Sequence, residues 1–369
     1  MVPSNLRLRV ALGILALVFP ASIVSAANSF SNSLTGFTGD STQAATASAV
    51  AAAGFNFSND GVGSNTPPPA TVYKVQFDSS GAKFGDGQPV NDGRNYMRTN
   101  ATDYANTSFV AEVTITTTDI DNQNAYFGLG SGNANNDFFR TPDYQSSAAS
   151  IMYWGENEIA TPTIEVVMNN DGHGADVSVT PAPGLGDGTH RARLTYDWFK
   201  KTATVALDLN YAGGAFTADV TSPAANVLPL YTSGTGFPQE PGSVFFGGDL
   251  GTTFKDFQVT VSGPSVVFGD FDNTGGPVTA ADWAILRSNK EKDVSGLTNQ
   301  AAYFLGDLTA DLKIDHDDFA VFKSLYEAAH GTGSFAQLLG SVPEPSTLSL
   351  LLICAFAIGR GTRRRMPTV

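Results

Sequence analysis

The stretch HRARLTYDWFKKTATVALDL, residues 190–209, reads as two short apolar-rich runs, 190–196 and 202–209, joined by a turn that carries Lys200 and Lys201. Runs of this length on either side of a short turn pair as antiparallel strands. The same rhythm continues outward in both directions. Upstream lie 72–77, 109–117, 125–129, 150–154, 163–168 and 175–180; downstream lie 243–247 and 253–261. Asn, Gly, Asp and Pro separate the runs, and Asn169-Asn170-Asp171-Gly172 and Gly186-Asp187-Gly188 are hairpin signals. The fold class expected is mainly β, with an antiparallel β-sandwich of jelly-roll type over residues 27–263.

Composition supports this reading and excludes several functions. The chain has 369 residues, 42% of them hydrophobic, enough to bury a substantial core. Its 38 Gly and 19 Pro favour turns over long helices. Thirty-five acids against 21 bases give a net charge of -14, which repels nucleic acid and anionic lipid. Cys354 is the one cysteine, so no internal disulfide forms.

After the sandwich the text changes. Two similar units follow, each an Asp-rich loop leading into an amphipathic run, one from Gly269-Asp270 and one from Gly306-Asp307. Calcium takes six to eight oxygens, and a loop with oxygen-bearing side chains at positions 1, 3 and 5, a carbonyl at 7 and an acid at 12 supplies them. The second loop has that length, with Asp307, Thr309, Asp311, the Lys313 carbonyl, Asp315 and Asp318. The first offers Asp270, Asp272, Thr274, Thr279 and Asp282, the closing acid coming one residue late, so that Gly275-Gly276-Pro277 must absorb an insertion. Ile314 and its counterpart Val278 are expected to tie the loops by a short strand pairing. Trp283, Leu286, Phe319, Phe322, Leu325 and Tyr326 are spaced to bury one helix face each. A small α-helical paired calcium-loop module is thus expected over 267–329.

Residues 267–329 resemble the dockerin type I family, in which paired calcium loops and their helices bind a cohesin domain. The resemblance implies Ca2+ as cofactor and a cohesin-type partner. Against the family pattern, Thr274 and Thr309 replace acids or amides. Leu312 stands where the sharp turn prefers Gly, and a left-handed Leu costs about 1 to 2 kcal/mol.

The two ends read as addresses. Arg7 and Arg9, an apolar run over 10–19, and Val24-Ser25-Ala26 form a signal peptide, residues 1–26, for cleavage by signal peptidase. At the other end Pro343-Glu344-Pro345 leads into an apolar span, 348–358, and then Arg360, Arg363, Arg364 and Arg365. The span is shorter than the roughly 20 residues of a membrane helix, which suits a transient anchor. Residues 342–369 resemble the PEP-CTERM sorting signal of Gram-negative bacteria, whose family an exosortase processes near the Pro-Glu-Pro motif. An exported protein of the cell surface or extracellular matrix is implied, with residues 330–341 as a linker. Removing residues 1–26 and everything after the Pro-Glu-Pro motif takes six arginines and no acid, leaving 15 bases against 35 acids, a charge of about -20 that disposes the chain towards divalent cations.

The order of strands, lysine-bearing turn and final Phe245-Phe246-Gly247-Gly248-Asp249 segment resembles the concanavalin A-like lectin/glucanase fold, whose members include glycan-binding, laminin G-like and glycoside hydrolase domains. A hydrolytic pair needs two acids at strand-alternation spacing. The hydrolase pattern of Glu, apolar, Asp, two apolar, Glu is absent. Glu156 and Glu158 fall in a loop, and Glu165 stands alone in a strand. His173 and His190 read as turn and strand-edge residues. Trp154, Tyr153 and Asp137 are the candidate carbohydrate-binding residues, flat apolar faces beside polar groups. The leading expectation is a non-catalytic surface or matrix protein that binds glycan through its sandwich and a cohesin-like partner through its calcium module. The rivals are a polysaccharide hydrolase or lyase and a structural scaffold protein.

Overall fold

The structure, a computed structural model, describes residues 27–59, 75–85, 95–118, 123, 125–131, 148–154, 163–169, 175–179, 186–232, 242–248 and 250–341. First come β1 (Phe30–Asn32), β2 (Gly39–Asp40), helix α1 (Ala44–Ala52) and β3 (Phe55–Asn59). Next are β4 (Val75–Asp78), β5 (Gly81–Phe84), β6 (Asn95–Thr99), β7 (Ser108–Thr117) and β8 (Ala125–Ser131). They are followed by β9 (Ala148–Trp154), β10 (Thr163–Asn169), β11 (Ala175–Val179), β12 (Gly188–Asp197) and β13 (Thr202–Asp208). Short β14 (Val220–Thr221), β15 (Ala225–Asn226) and helix α2 (Pro229–Thr232) lead to β16 (Gly242–Gly248) and β17 (Thr252–Ser262). Four helices close the described chain: α3 (Ala280–Asn289), α4 (Asn299–Tyr303), α5 (His316–His330) and α6 (Ser334–Ser341).

The strands form two antiparallel sheets. One has the order β14-β13-β12-β7-β17-β5-β4-β2, with β1 on β17 and β15 on β13; the other is β11-β10-β9-β8-β16-β6-β3. The hairpin read from residues 190–209 is β12 paired with β13, in register from Arg191 opposite Asp208 to Asp197 opposite Thr202. Alternation along these strands sends Ala192, Leu194 and Tyr196 into the core, and the same holds for Phe109, Ala111, Val113 and Ile115 of β7. The sheets meet through rings. Phe55 and Phe246 of one lie against Phe257 of the other with centroids 5.2 Å apart in each case, and Phe246 lies 5.4 Å from Phe254. This is a β-sandwich with an aromatic seam.

One irregularity makes the seam possible. Phe254 and Phe257 are three residues apart, so strict alternation puts them on opposite faces. Between Lys255 and Gln258 the β17 register shifts, and Asp256 sits at φ 51, its N–H donating to the Ser33 carbonyl at 3.0 Å. The bulge sets two residues opposite one and resets the phase, so that both rings point inward.

The outer face of the ten-stranded sheet carries a clamp. Glu112 accepts from Arg191 Nε at 2.8 Å, Arg193 Nε at 2.6 Å and Gln258 Nε2 at 2.7 Å. Arg193 lies over the Phe216 ring at 3.9 Å, which seats the 209–219 connection on this face. His190 is a correction to the strand-edge reading: it lies within β12 with no exposure. Its Nε2 is 2.9 Å from the Gly186 carbonyl, and its Nδ1 accepts from the Asn210 N–H at 3.3 Å. Burial pushes its pKa down.

The helical module shares the sandwich core. Trp198 and Phe199, at the tip of the β12–β13 hairpin, lie 4.8 and 5.9 Å from the Tyr303 ring, and Phe268 lies 5.2 Å from Tyr231 of α2. Lys201 follows at φ 53 with its ammonium 3.5 Å from the Trp198 ring and donating to the Trp198 carbonyl at 2.6 Å. The expected linker over 330–341 is corrected as well. Gly331, at φ 93, ends α5, and α6 turns back so that Phe335 packs 5.1 Å from Trp283 and 5.5 Å from Phe319. Two apolar side chains, Phe335 and Leu338, make this segment part of the module.

Candidate calcium module and sandwich surface

The two loops close in the same way. Each helix begins with an N-cap whose third following residue is the closing acid: Thr279 with Asp282 on α3, Asp315 with Asp318 on α5, both forming capping boxes. Asp282 Oδ1 accepts from the Phe271 and Asp272 N–H groups at 2.7 and 3.2 Å, while Oδ2 accepts from Thr279 N–H at 2.8 Å. Asp318 repeats this, Oδ1 accepting from Leu308 and Thr309 N–H at 2.8 and 3.0 Å and Oδ2 from Asp315 N–H at 2.8 Å. The opening acids match too. Asp270 accepts from Gly275 N–H at 2.7 Å and Asp307 from Leu312 N–H at 3.0 Å, five residues on in both loops.

These matches locate the extra residue of the first loop. From the opening acid to the sharp turn both loops count five, so the insertion lies between Gly275 and Thr279, where Gly276-Pro277 stands. The turn is left-handed in both, Gly275 at φ 79 and Leu312 at φ 63, as the departure at Leu312 requires; Asn273 at φ 53 and Ala310 at φ 62 form a second matched pair. The doubled Gly-Asp start has a steric cause. Gly269 takes φ 93, and a Cβ there would lie 2.7 Å from Val278 Cγ2; Gly306 takes φ 121, and a Cβ would lie 3.2 Å from Leu286 Cα.

The expected Ile314–Val278 pairing is not what joins the loops. The Ile314 carbonyl accepts from Glu291 N–H at 2.9 Å, and Lys313 bridges Asp293, so this strand pairs with the segment after α3. Val278 instead gives its carbonyl to His330 Nε2 at 2.6 Å. The insertion that displaces Val278 explains the mismatch.

Electrostatics decides what the loops lack. Asp270, Asp282, Asp307 and Asp318 are all buried, at most 2% exposed. Burial, then the neighbouring Asp272, raises the Asp270 pKa; burial, then repulsion from Asp318, pushes Asp307 up to about 6; burial raises Asp318. No Lys or Arg among the described residues lies within 4.0 Å of these four carboxylates. Carboxylates of Asp270, Asp272 and Asp282 offer oxygens that all lie within 4.8 Å of one another. Two oxygens sharing a calcium ion at about 2.3 to 2.6 Å stand at most about 5 Å apart, so the first loop fits the ion. Thr274 donates its N–H to Asp270 Oδ1 at 3.2 Å. The second loop is poorer. Asp307 and Asp318 converge, but Asp311 leans to Lys313 Nζ at 3.6 Å and Thr309 donates its hydroxyl to Asp318 at 3.1 Å.

Two of the carbohydrate candidates fall within β9. Tyr153 pairs with Ala125 and Ile164, and Trp154 pairs with Thr163. Asp137, Glu156, Glu158 and His173 lie outside the described residues. Tyr96, Tyr126 and Phe245 form a second aromatic tier on the outer face of the seven-stranded sheet, Tyr96 lying 5.7 and 5.8 Å from the other two rings. Sequence reading passed over this tier because β6 carries no turn-flanked apolar run. It also missed Tyr303, whose ring and hydroxyl serve different partners. Among the described residues no helix is long and apolar enough to cross a membrane. The signal peptide, Pro343, Glu344, Pro345, the 348–358 span and the arginine cluster all lie outside the described residues.

No protein-family model matches this chain, and a search of curated proteins finds no match. Solved structures do match. Lectin UEA-II complexed with galactose shares 15% identity at a TM-score of 0.41, over 64% of this chain and 100% of that one. The Lotus tetragonolobus seed lectin shares 12% at 0.41, again over 64% and 100%. The exoplasmic/lumenal domain of VIP36 in its Ca2+/Man2-bound form shares 10% at 0.36, over 56% and 80%. At TM-scores below 0.5 these likenesses carry no argument, and the sandwich stands on its own strand pairing.

Proposed function

We propose that this chain is an exported, non-catalytic protein of the cell surface or extracellular matrix, with a concanavalin-like sandwich that binds polysaccharide and paired loops that take up calcium. The observation that supports this best is the duplicated closure: two loops of matching hydrogen bonds, each holding two buried carboxylates with no described Lys or Arg within 4.0 Å. Asp270, Asp272 and Asp282 would hold one ion, with Thr274 and Thr279 beside them; Asp307, Thr309, Asp311, Lys313 through its carbonyl, Asp315 and Asp318 would hold the second. A bound divalent cation supplies the charge that lets these buried acids stay ionised together. The oxygen-only donor set suits a hard ion in a calcium-rich space outside the cell, which agrees with a signal peptide at one end and an exosortase signal at the other.

For the sandwich, a binding role is favoured over hydrolysis because Glu112, the buried glutamate among the described residues, is locked by two arginines and a glutamine. A cohesin-type partner on the module belongs to the same proposal. The test sets the full-length chain on a polysaccharide panel in calcium and in chelator, scoring retention and release of reducing ends, with native mass spectrometry counting ions. Retention without release, weakened in Trp154→Ala, is expected. Release of reducing ends would establish the hydrolase reading instead, and a chain that holds no calcium would remove the metal.

A further inference from the structure

Tyr303 stands where three parts of the molecule meet. Its ring packs edge-on against Trp198 at the tip of the β12–β13 hairpin, centroids 4.8 Å apart. Its hydroxyl accepts from the Gly269 N–H at 2.9 Å and donates to the Val267 carbonyl at 3.0 Å. Gly269 immediately precedes Asp270, the opening acid of the first loop. Its backbone carbonyl also holds the entry to the second loop, accepting from Gly306 N–H at 2.8 Å, beside the adjacent Ala302 carbonyl, which accepts from Asp307 N–H at 3.2 Å. The side chain is fully buried, so the hydroxyl must be satisfied by partners rather than water, and both of its partners sit at the first loop's entry.

We propose that Tyr303 couples the two cation loops to each other and to the sandwich, so that loading the loops stiffens the β12–β13 hairpin. This rests on the calcium reading above and adds the route by which it acts. Neither loop entry has slack. Gly269 is enclosed by Val278 and Leu325, and Gly306 by Leu286, so a displacement of either opening acid is passed on to Tyr303. On the sandwich side the hairpin tip is equally tight. Lys201 folds over the Trp198 ring and bonds its carbonyl, and Trp198 itself has no exposure. The element that responds is the docked hairpin tip, whose local opening competes with the Trp198–Tyr303 contact. An ion that fixes the loops lowers the population of the opened tip, and by linkage an intact hairpin favours the loaded loops. Tyr303 is on this account a positioning residue that touches no ion.

The experiment is amide hydrogen exchange on the full-length chain, calcium-loaded and calcium-stripped, with native mass spectrometry counting bound ions. In the unaltered protein, exchange over residues 197–203 should slow about threefold or more on loading, alongside the loops themselves. In Tyr303→Phe the ring stays on Trp198 but the bonds to Gly269 and Val267 go. Ions should still bind, slowing within 267–330 should remain, and slowing over 197–203 should vanish. Slowing confined to 267–330 in the unaltered protein, or undiminished hairpin slowing in Tyr303→Phe, overturns the proposal with the calcium reading intact. A chain that binds no ion overturns both. Should Tyr303→Phe fail to fold, Trp198→Phe cuts the same contact from the hairpin side and is held to the same outcomes.

Discussion

Asp307 is where the electrostatic reading is most exposed to refutation. It is 2% exposed, accepts from Ala310 and Leu312 N–H at 2.7 and 3.0 Å, and has a pKa pushed from the ordinary 3.8 to about 6 by burial and then by Asp318. An acid with a raised folded pKa binds its proton more tightly in the native state than in the unfolded one. Metal-free stability is therefore greatest below the unfolded pKa and falls as pH rises through the window from 3.8 to about 6. A shift of about two pH units corresponds to about 3 kcal/mol. Asn at this position does not titrate. The stability difference between Asp307→Asn and the unaltered chain should thus move by about 3 kcal/mol in favour of Asn between about pH 4 and pH 7, whatever constant cost the lost Leu312 bond adds. Calcium opposes this difference at neutral pH and offsets most of it. At a hundredfold excess over Kd an ion stabilises its folded site by about 2.7 kcal/mol, a gain the variant forgoes in its second loop. Urea unfolding of the full-length chain, followed by tryptophan fluorescence across this pH range with and without calcium, measures both. A difference that stays flat with pH in metal-free buffer refutes the assignment of the shift, and equal stabilisation of the two proteins by calcium refutes the role of Asp307 as a ligand.

Three further outcomes are expected. His190 is buried with a pKa pushed down by desolvation, so its neutral form is native and its contribution is lost as pH falls below 6.5; an NMR titration with a midpoint at or above 6.5 would contradict this. Glu112→Gln leaves Arg191 and Arg193 without their carboxylate on a largely buried surface and should cost about 3 kcal/mol in urea unfolding; a loss under about 1 kcal/mol would mean the clamp is ornamental. Deleting Asp256 removes the bulge residue but keeps Phe254, Phe257 and Val259 on the inner face, so the variant should fold with a modest drop in Tm, whereas deleting Val110 from regular β7 throws half that strand outward and should abolish folding by circular dichroism.

Long, turn-flanked strands were legible because their apolar runs have no other way to be buried. The ten runs read from the text all appear as strands, β12 and β13 among them. What escaped were pieces defined by their partners. β1 and β2 are three and two residues long and hold only by pairing with β17 and β4. β5 and β6 contain Gly81, Lys83 and Arg98, and no count of apolar residues distinguishes them from loop. The turns of the two loops were legible, down to the left-handed Leu312, because the spacing of their Gly and Asp residues is a covalent property of the chain. Their pairing was not: Ile314 goes to the segment after α3, and the one-residue insertion before Val278 had no way to announce which strand it would displace.

The joint between module and sandwich shows why such features hide. Trp198 and Phe199, Phe268, and Tyr303 lie in three separate stretches of sequence, each with a sufficient local explanation as hairpin tip, loop entry or helix end. The lysine-bearing turn of the opening stretch looked like an exposed connection, which Lys200, 61% exposed along its side chain, is. Lys201 is not. Its ammonium is enclosed by Trp198, Tyr231, Phe268 and Tyr303, and burial drives its pKa well below the ordinary lysine value even though Asp307 and Asp197 pull the other way. The burial effect wins because a nearby carboxylate that makes no direct contact offsets little of the hydration lost. A lysine placed there is tolerated only if the surrounding rings are held in position, and two of the four rings belong to the module. The sandwich hairpin therefore needs the module to be folded, which makes independent folding of either part the less stable arrangement and ties the fate of the strands to that of the aspartate loops.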